Sequence, residues 1–135
     1  RSNIAKACVH AGLAFSNTKT AIAHNLSYPI TLKYGIQHGI ACSFTLPIIT
    51  RSMIGINKLA ERRLELIFNN DLEESSTQLS NFMRELEVPL NLNEIKVPIQ
   101  DWNNIVNDAF LGERGKNFIG NKDAFISSAK LMGFL

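Results

Sequence analysis

The chain has 135 residues, a formal net charge of +2 and 45% hydrophobic residues, which suits one globular domain and leaves no room for two ordinary ones. Charged residues make up 19%, which argues against disorder. Fourteen basic against twelve acidic side chains create no field that would gather nucleic acid or anionic lipid.

From Arg1 the chain leads directly into a helical pattern, with nothing that resembles a secretory leader. It does not begin with Met, so a fragment or a processed product is expected. Cys8 and Cys42 make neither a disulfide framework nor a zinc motif. They read as two buried free thiols in a reducing, cytoplasmic setting. The first fifty residues hold all three histidines, both cysteines and two of the four prolines, so this segment is either the buried core or a site built into it. The most apolar stretch, residues 39–49, is interrupted by Ser43, Thr45 and Pro47 and is too short to span a bilayer. A soluble chain is expected.

Further on, helical periods dominate. Ala60, Leu64, Ile67 and Phe68 fall at i, i+4, i+7 and i+8. Leu79, Phe82, Met83 and Leu86 repeat at i, i+3, i+4 and i+7, as do Trp102, Ile105, Val106 and Ala109, with Phe110 completing that stripe. Asp71 is an expected N-cap, with Glu74 three positions on as in a capping box. Residues 88–98, with two prolines, read as an extended loop. Asp101 and Asn103 start the next helix and Gly112 ends it, after which residues 112–120 form a mobile polar loop. A final helix over about 122–131 has Asn121 before it and Gly133 after it. No segment alternates like a strand. The expectation is an all-α bundle of six or seven helices, with residues 1–135 as a single helical domain.

His10, His24 and His38 are spaced by fourteen residues twice, roughly four helical turns. Gly12, Pro29 and Gly35 make one unbroken helix through all three improbable. Thr20, His24 and Tyr28 share one polar face at i, i+4 and i+8, as a ligand or substrate wall would. His38 precedes Gly39 and belongs at a helix start, where an imidazole can point into a cleft. His10 has small or apolar helical neighbours, so core packing is expected for it.

The residues Ala11-Gly12-Leu13-Ala14-Phe15-Ser16-Asn17-Thr18, then His24, Tyr28-Pro29, His38-Gly39-Ile40-Ala41 and Leu46-Pro47 resemble the signature of the iron-containing, group III alcohol dehydrogenases. The resemblance is dense over residues 11–47. It implies an enzyme in which a nucleotide-binding α/β domain precedes a helical domain that carries the metal on one Asp and three His. His24 and His38 correspond to two of those ligands. The Asp and the first His would lie upstream, and His10 does not fall at the position of that first His. The chain therefore looks like a C-terminal fragment without the nucleotide-binding domain and the first part of the helical domain.

Two further positions carry over from the resemblance. Phe15 corresponds to a residue lining the nicotinamide and substrate cleft, although an ordinary core aromatic is an equal alternative. Tyr28 stands where many members have a second His that assists proton transfer, and a phenol is a poorer base at neutral pH than an imidazole. Ser27-Tyr28-Pro29, together with Lys19, is similar to members assigned to phosphonoacetaldehyde reduction.

The implied activity is reversible hydride transfer between an alcohol or aldehyde and NAD(P), with Fe(II) or Zn(II) as the metal. Related transhydrogenases and sugar-phosphate cyclases stay open, and the short intact signature favours a dehydrogenase. A non-catalytic helical assembly module is the alternative outside enzymes. The fragment alone is expected to hold little or no metal, to be inactive and to self-associate, as a homo-oligomer, through newly exposed apolar surface.

Overall fold

In the computed structural model all of residues 1–135 are described, as nine α-helices, one short 3-10 turn and no strand. The helices are α1 (Ser2–Ser16), α2 (Ile22–Tyr34), α3 (His38–Ser43), α4 (Leu46–Arg51), α5 (Lys58–Phe68), α6 (Leu72–Glu85), α7 (Leu92–Ile95), α8 (Ile99–Leu111) and α9 (Lys122–Leu131). The chain is all-α, as expected, but six or seven helices are too few. Eight have at least six residues, and α7 is one turn inside the segment expected to be an extended loop. The extra helices, α3 and α4, are too short to display an apolar period. None of the helices is long and apolar enough to cross a membrane.

Three breaks position the N-terminal helices. After α1, Ser16 Oγ and Asn17 Nδ2 both donate to Leu13 O, and Thr18 Oγ1 donates to Ala14 O. These side chains satisfy the orphan carbonyls at the end of α1 in place of a further turn. Gly35 closes α2 in a left-handed conformation at φ 68° that only glycine adopts without strain. Pro47 enters the first turn of α4, where its missing N–H costs nothing. The single long helix is thus interrupted, as expected. Gly12 and Pro29 nevertheless lie inside α1 and α2, and only Gly35 of the three expected breakers ends a helix.

The core is centred on α8. Trp102, Ile105, Val106 and Ala109 are all buried, and Phe110 packs against their cluster. Trp102 meets Phe44, Phe125 and Phe134 at centroid distances of 6.0, 6.3 and 5.0 Å, so helices far apart in sequence close on one aromatic cluster. On the other side α2 contributes Ile22, Leu26 and Ile30, each at most 1% exposed. Three hydrogen bonds hold α2 on α8. Asn25 Nδ2 donates to Ala109 O at 2.6 Å, and Lys33 Nζ and Tyr34 Oη both donate to Asp101, at 2.7 and 2.5 Å.

The other two stripes differ from expectation. Helix α5 buries no residue, and Ile67 is 73% exposed. It is held at its start by Asn57, whose side chain accepts from Leu59 N and Ala60 N. In α6 Met83 is buried and Leu79 half-buried, but Phe82 and Leu86 are exposed, while Leu72, Ser75 and Ser76 face inward. Both serines donate to carbonyls of their own helix, so their hydroxyls are satisfied where α6 packs on α4. The caps expected at Asp71 and Asn121 are present, whereas α8 starts at Ile99, ahead of Asp101 and Asn103, with no side-chain cap. Asp71 accepts from Glu74 N at 2.8 Å and Asn121 from Ala124 N at 2.9 Å. The 3-10 turn, Gly115–Asn117, lies in the expected polar loop and packs on α2 and α8.

Helix α1 is the largest departure. It buries nothing. His10 is therefore exposed and not a core residue, and Cys8 is an exposed thiol and not a buried one. The sequence around His10 is apolar enough for a core, but no other element of this chain covers it.

Candidate functional site

His24 projects from the first turn of α2, and His38 is the first residue of α3. Helices α2 and α3 pack against each other, with Gly35 turning the chain between them. The two imidazoles consequently meet edge to face, with ring centroids 5.8 Å apart. Tyr28, one turn after His24, stacks on His38 at 5.7 Å and is 36% exposed. It is thus beside the pair, with its ring against His38. His10 lies elsewhere, on α1.

Two features bear on the electrostatics. Burial lowers the His24 pKa from its ordinary 6.5, and the neighbouring His38 and the Arg114 guanidinium lower it further. His24 is held neutral at pH 7, with a ring nitrogen free to donate its lone pair. Arg114 stands 5.1 Å from the Tyr28 ring centroid and is tied down by an Nε donation to Thr20 Oγ1 at 3.0 Å. Asn117 Nδ2 donates to Thr20 O at 2.9 Å. Thr20 precedes α2 and joins this rim through the 3-10 turn, not through a helical face shared with His24.

Beside this rim lies an open, mainly polar cleft of about 360 Å³ lined by Phe15, Thr18, Lys19, Thr20, Glu113, Arg114 and Asn117. Phe15 is 59% exposed, so it is a cleft-wall residue here and not a core aromatic. Glu113 is paired with Lys116, leaving Lys19 and Arg114 as the cationic side of the cleft.

Two site neighbours had no role assigned from sequence. Arg114 lies 94 residues from Thr20, and no local pattern announces such a contact. Cys42 is expected from sequence to be a buried thiol, yet it is half-buried, and its Sγ stands 3.5 Å from His38 Nε2. The signal was available, because His38 and Cys42 are at i and i+4 on what became a helix. The converging imidazole nitrogens fit a divalent transition ion of the Fe(II) or Zn(II) type, for which imidazole is a preferred donor.

Residues 1–124 match the family described as "Fe-containing alcohol dehydrogenase family, C-terminal". The chain belongs to this family. Phosphonoacetaldehyde reductase of Streptomyces viridochromogenes is 39% identical over 51 residues, 38% of this chain and 13% of that protein. Alcohol dehydrogenase 4 of Saccharomyces cerevisiae is 27% identical over 97 residues, 68% of this chain and 25% of that protein. The matched region is thus a quarter or less of the length of these relatives. No solved structure matches the chain significantly.

Proposed function

We propose that this chain is the metal-holding helical part of an oxidoreductase that moves hydride between an alcohol and NAD or NADP. In this reading His24 and His38 are two ligands of a divalent cation, Fe(II) or Zn(II). The observation that carries it is the convergence, in a chain of this family, of imidazoles from two successive helices to a 5.8 Å ring separation. When bound, the cation supplies Lewis-acid stabilisation of negative charge on the alcohol oxygen and the nicotinamide supplies the hydride acceptor.

The chain's own residues do the rest. His24, kept neutral, and His38 orient the reacting end of the substrate. Tyr28 Oη holds or passes the proton that the alcohol loses, with its ring steadied between His38 and Arg114. Phe15 forms an apolar wall for the nicotinamide. Lys19 and Arg114 suit a substrate bearing an anionic group, and the likeness to a phosphonoacetaldehyde reductase supports a phosphonate there.

The remaining metal ligands and the nucleotide-binding domain belong, in this reading, to further parts of a cytoplasmic protein. The apolar residues exposed on α1 and α5, among them Ile4, Val9, Leu66 and Ile67, are then covered by those parts or by a second copy. The same exposed faces favour the second reading, a helical module that serves assembly alone.

The test is nicotinamide oxidation by the longer protein, loaded with Fe(II) or Zn(II), on simple aldehydes and phosphonoacetaldehyde. Turnover that falls to background in His24→Ala and His38→Ala is the expected result, as is no turnover by the 135-residue chain alone. Nicotinamide binding without any turnover would favour loss of activity within the family, and absence of both would favour the assembly role.

A further inference from the structure

We infer that Cys42 is a third metal donor, so that this chain carries by itself a His24–His38–Cys42 site for a thiophilic divalent cation. The inference rests on the metal reading of the two histidines and adds to it a sulfur ligand. The ligating atoms of the three side chains all lie within 4.8 Å of one another. Zinc–nitrogen and zinc–sulfur bonds of about 2.0 and 2.3 Å place two donors on one tetrahedral ion roughly 3.3–3.8 Å apart. The 3.5 Å separation of Cys42 Sγ from His38 Nε2 is already in that range, and small side-chain rotations bring in His24.

The helix supplies the spacing. His38 and Cys42 sit four residues apart in α3 and share one face, while His24 approaches from α2. Both His24 and Cys42 are half-buried and His38 is exposed, so the three donors would cap one side of an ion and leave its other side to water in this chain alone and to the remaining ligands and substrate in the longer protein. Charge adds a second argument. Two neutral imidazoles leave a dication uncompensated close to Arg114, whereas a thiolate removes one unit of that charge. Ligation is a proton exchange: the Cys42 S–H bond breaks, its proton passes to solvent, and the sulfur lone pair forms the bond to the metal without any change of oxidation state. The soft donor selects Zn(II) or Co(II) over Mg(II).

The experiment titrates the chain with Co(II) in a Cys8→Ser background, so that the exposed Cys8 thiol contributes no signal. Under a non-thiol reductant a near-ultraviolet thiolate-to-cobalt charge-transfer band is expected, along with intensified visible bands of a low-coordinate ion. Adding Cys42→Ser removes the charge-transfer band and weakens Zn(II) competition by roughly tenfold or more. Circular dichroism should show its helices intact. Adding His24→Ala instead removes the visible bands too. Cobalt bound without a charge-transfer band, or a Cys42→Ser protein with unchanged spectrum and affinity, overturns the sulfur ligand and leaves the histidine pair standing. A chain that takes up no cobalt at all overturns this inference, while the turnover test on the longer protein still decides the histidine reading separately.

Discussion

Gly115→Ala probes the 3-10 turn that carries Arg114 to the site. A Cβ built there would stand 2.1 Å from Ala109 O and 2.9 Å from both Phe110 Cα and Phe110 O. All three are backbone atoms in the last turn of α8, so no side chain can swing aside. Overpacking of a tight site costs about 1–3 kcal/mol, and a backbone collision with a helix end belongs at the upper limit. About 3 kcal/mol corresponds to a roughly 150-fold fall in the folding equilibrium constant. Urea unfolding, followed by circular dichroism and by fluorescence of the buried Trp102, gives the comparison directly. Gly12→Ala is the matched control: nothing lies within 4 Å of its Cβ, and a helical alanine gains up to about 1 kcal/mol over glycine. If Gly115→Ala unfolds within about 0.5 kcal/mol of the parent at an unchanged m-value, the turn is not packed on α8 as described.

Two further outcomes are expected beyond the turnover and cobalt experiments. Thr45 is fully buried, and its Oγ1 has no hydrogen-bond partner, so Thr45→Val should raise stability by about 1 kcal/mol in the same urea assay; a loss would mean that the hydroxyl is satisfied. The hydrogen bond from Lys33, and next that from Tyr34, holds the Asp101 carboxyl below its ordinary pKa of 3.8. A depressed carboxylate contributes stability that is present above the unfolded value and lost as pH falls through the folded one. The stability difference between parent and Asp101→Asn should therefore stay level across neutral pH and shrink only below about pH 4; a difference that vanishes already near pH 6 would point to another group.

Legibility from sequence followed the physics of each element. The α8 stripe was readable because four large or apolar side chains at helical spacing all enter one core, and the Asp71 and Asn121 caps because one side chain and one backbone N–H decide them. On α5 and α6 the same pattern misled. Ile67, Phe82 and Leu86 are apolar but exposed, and Ser75 and Ser76 are polar but buried through bonds to their own helix. Helices α3 and α4 span under two turns each and leave no period to detect. At the site, His24, Tyr28 and His38 were assigned through a family resemblance. Arg114 is illegible because its partners are non-local, and Cys42 because a lone thiol four residues after a helix-start histidine reads equally well as an ordinary core residue.

The wholly exposed α1 carries a consequence for how order is distributed along the chain. A solitary helix of fifteen residues is only marginally favoured in water, because nucleation costs nearly as much as its hydrogen bonds return. The helical state of α1, with Ile4, Val9 and Leu13 exposed, therefore draws little support from packing within this chain. Phe15 sits in its last turn, so the shape of the cleft wall is tied to whether that turn is helical. The aromatic core around Trp102 can be in place while this edge of the site is still unformed, so the cleft can lose its wall without loss of the domain's core.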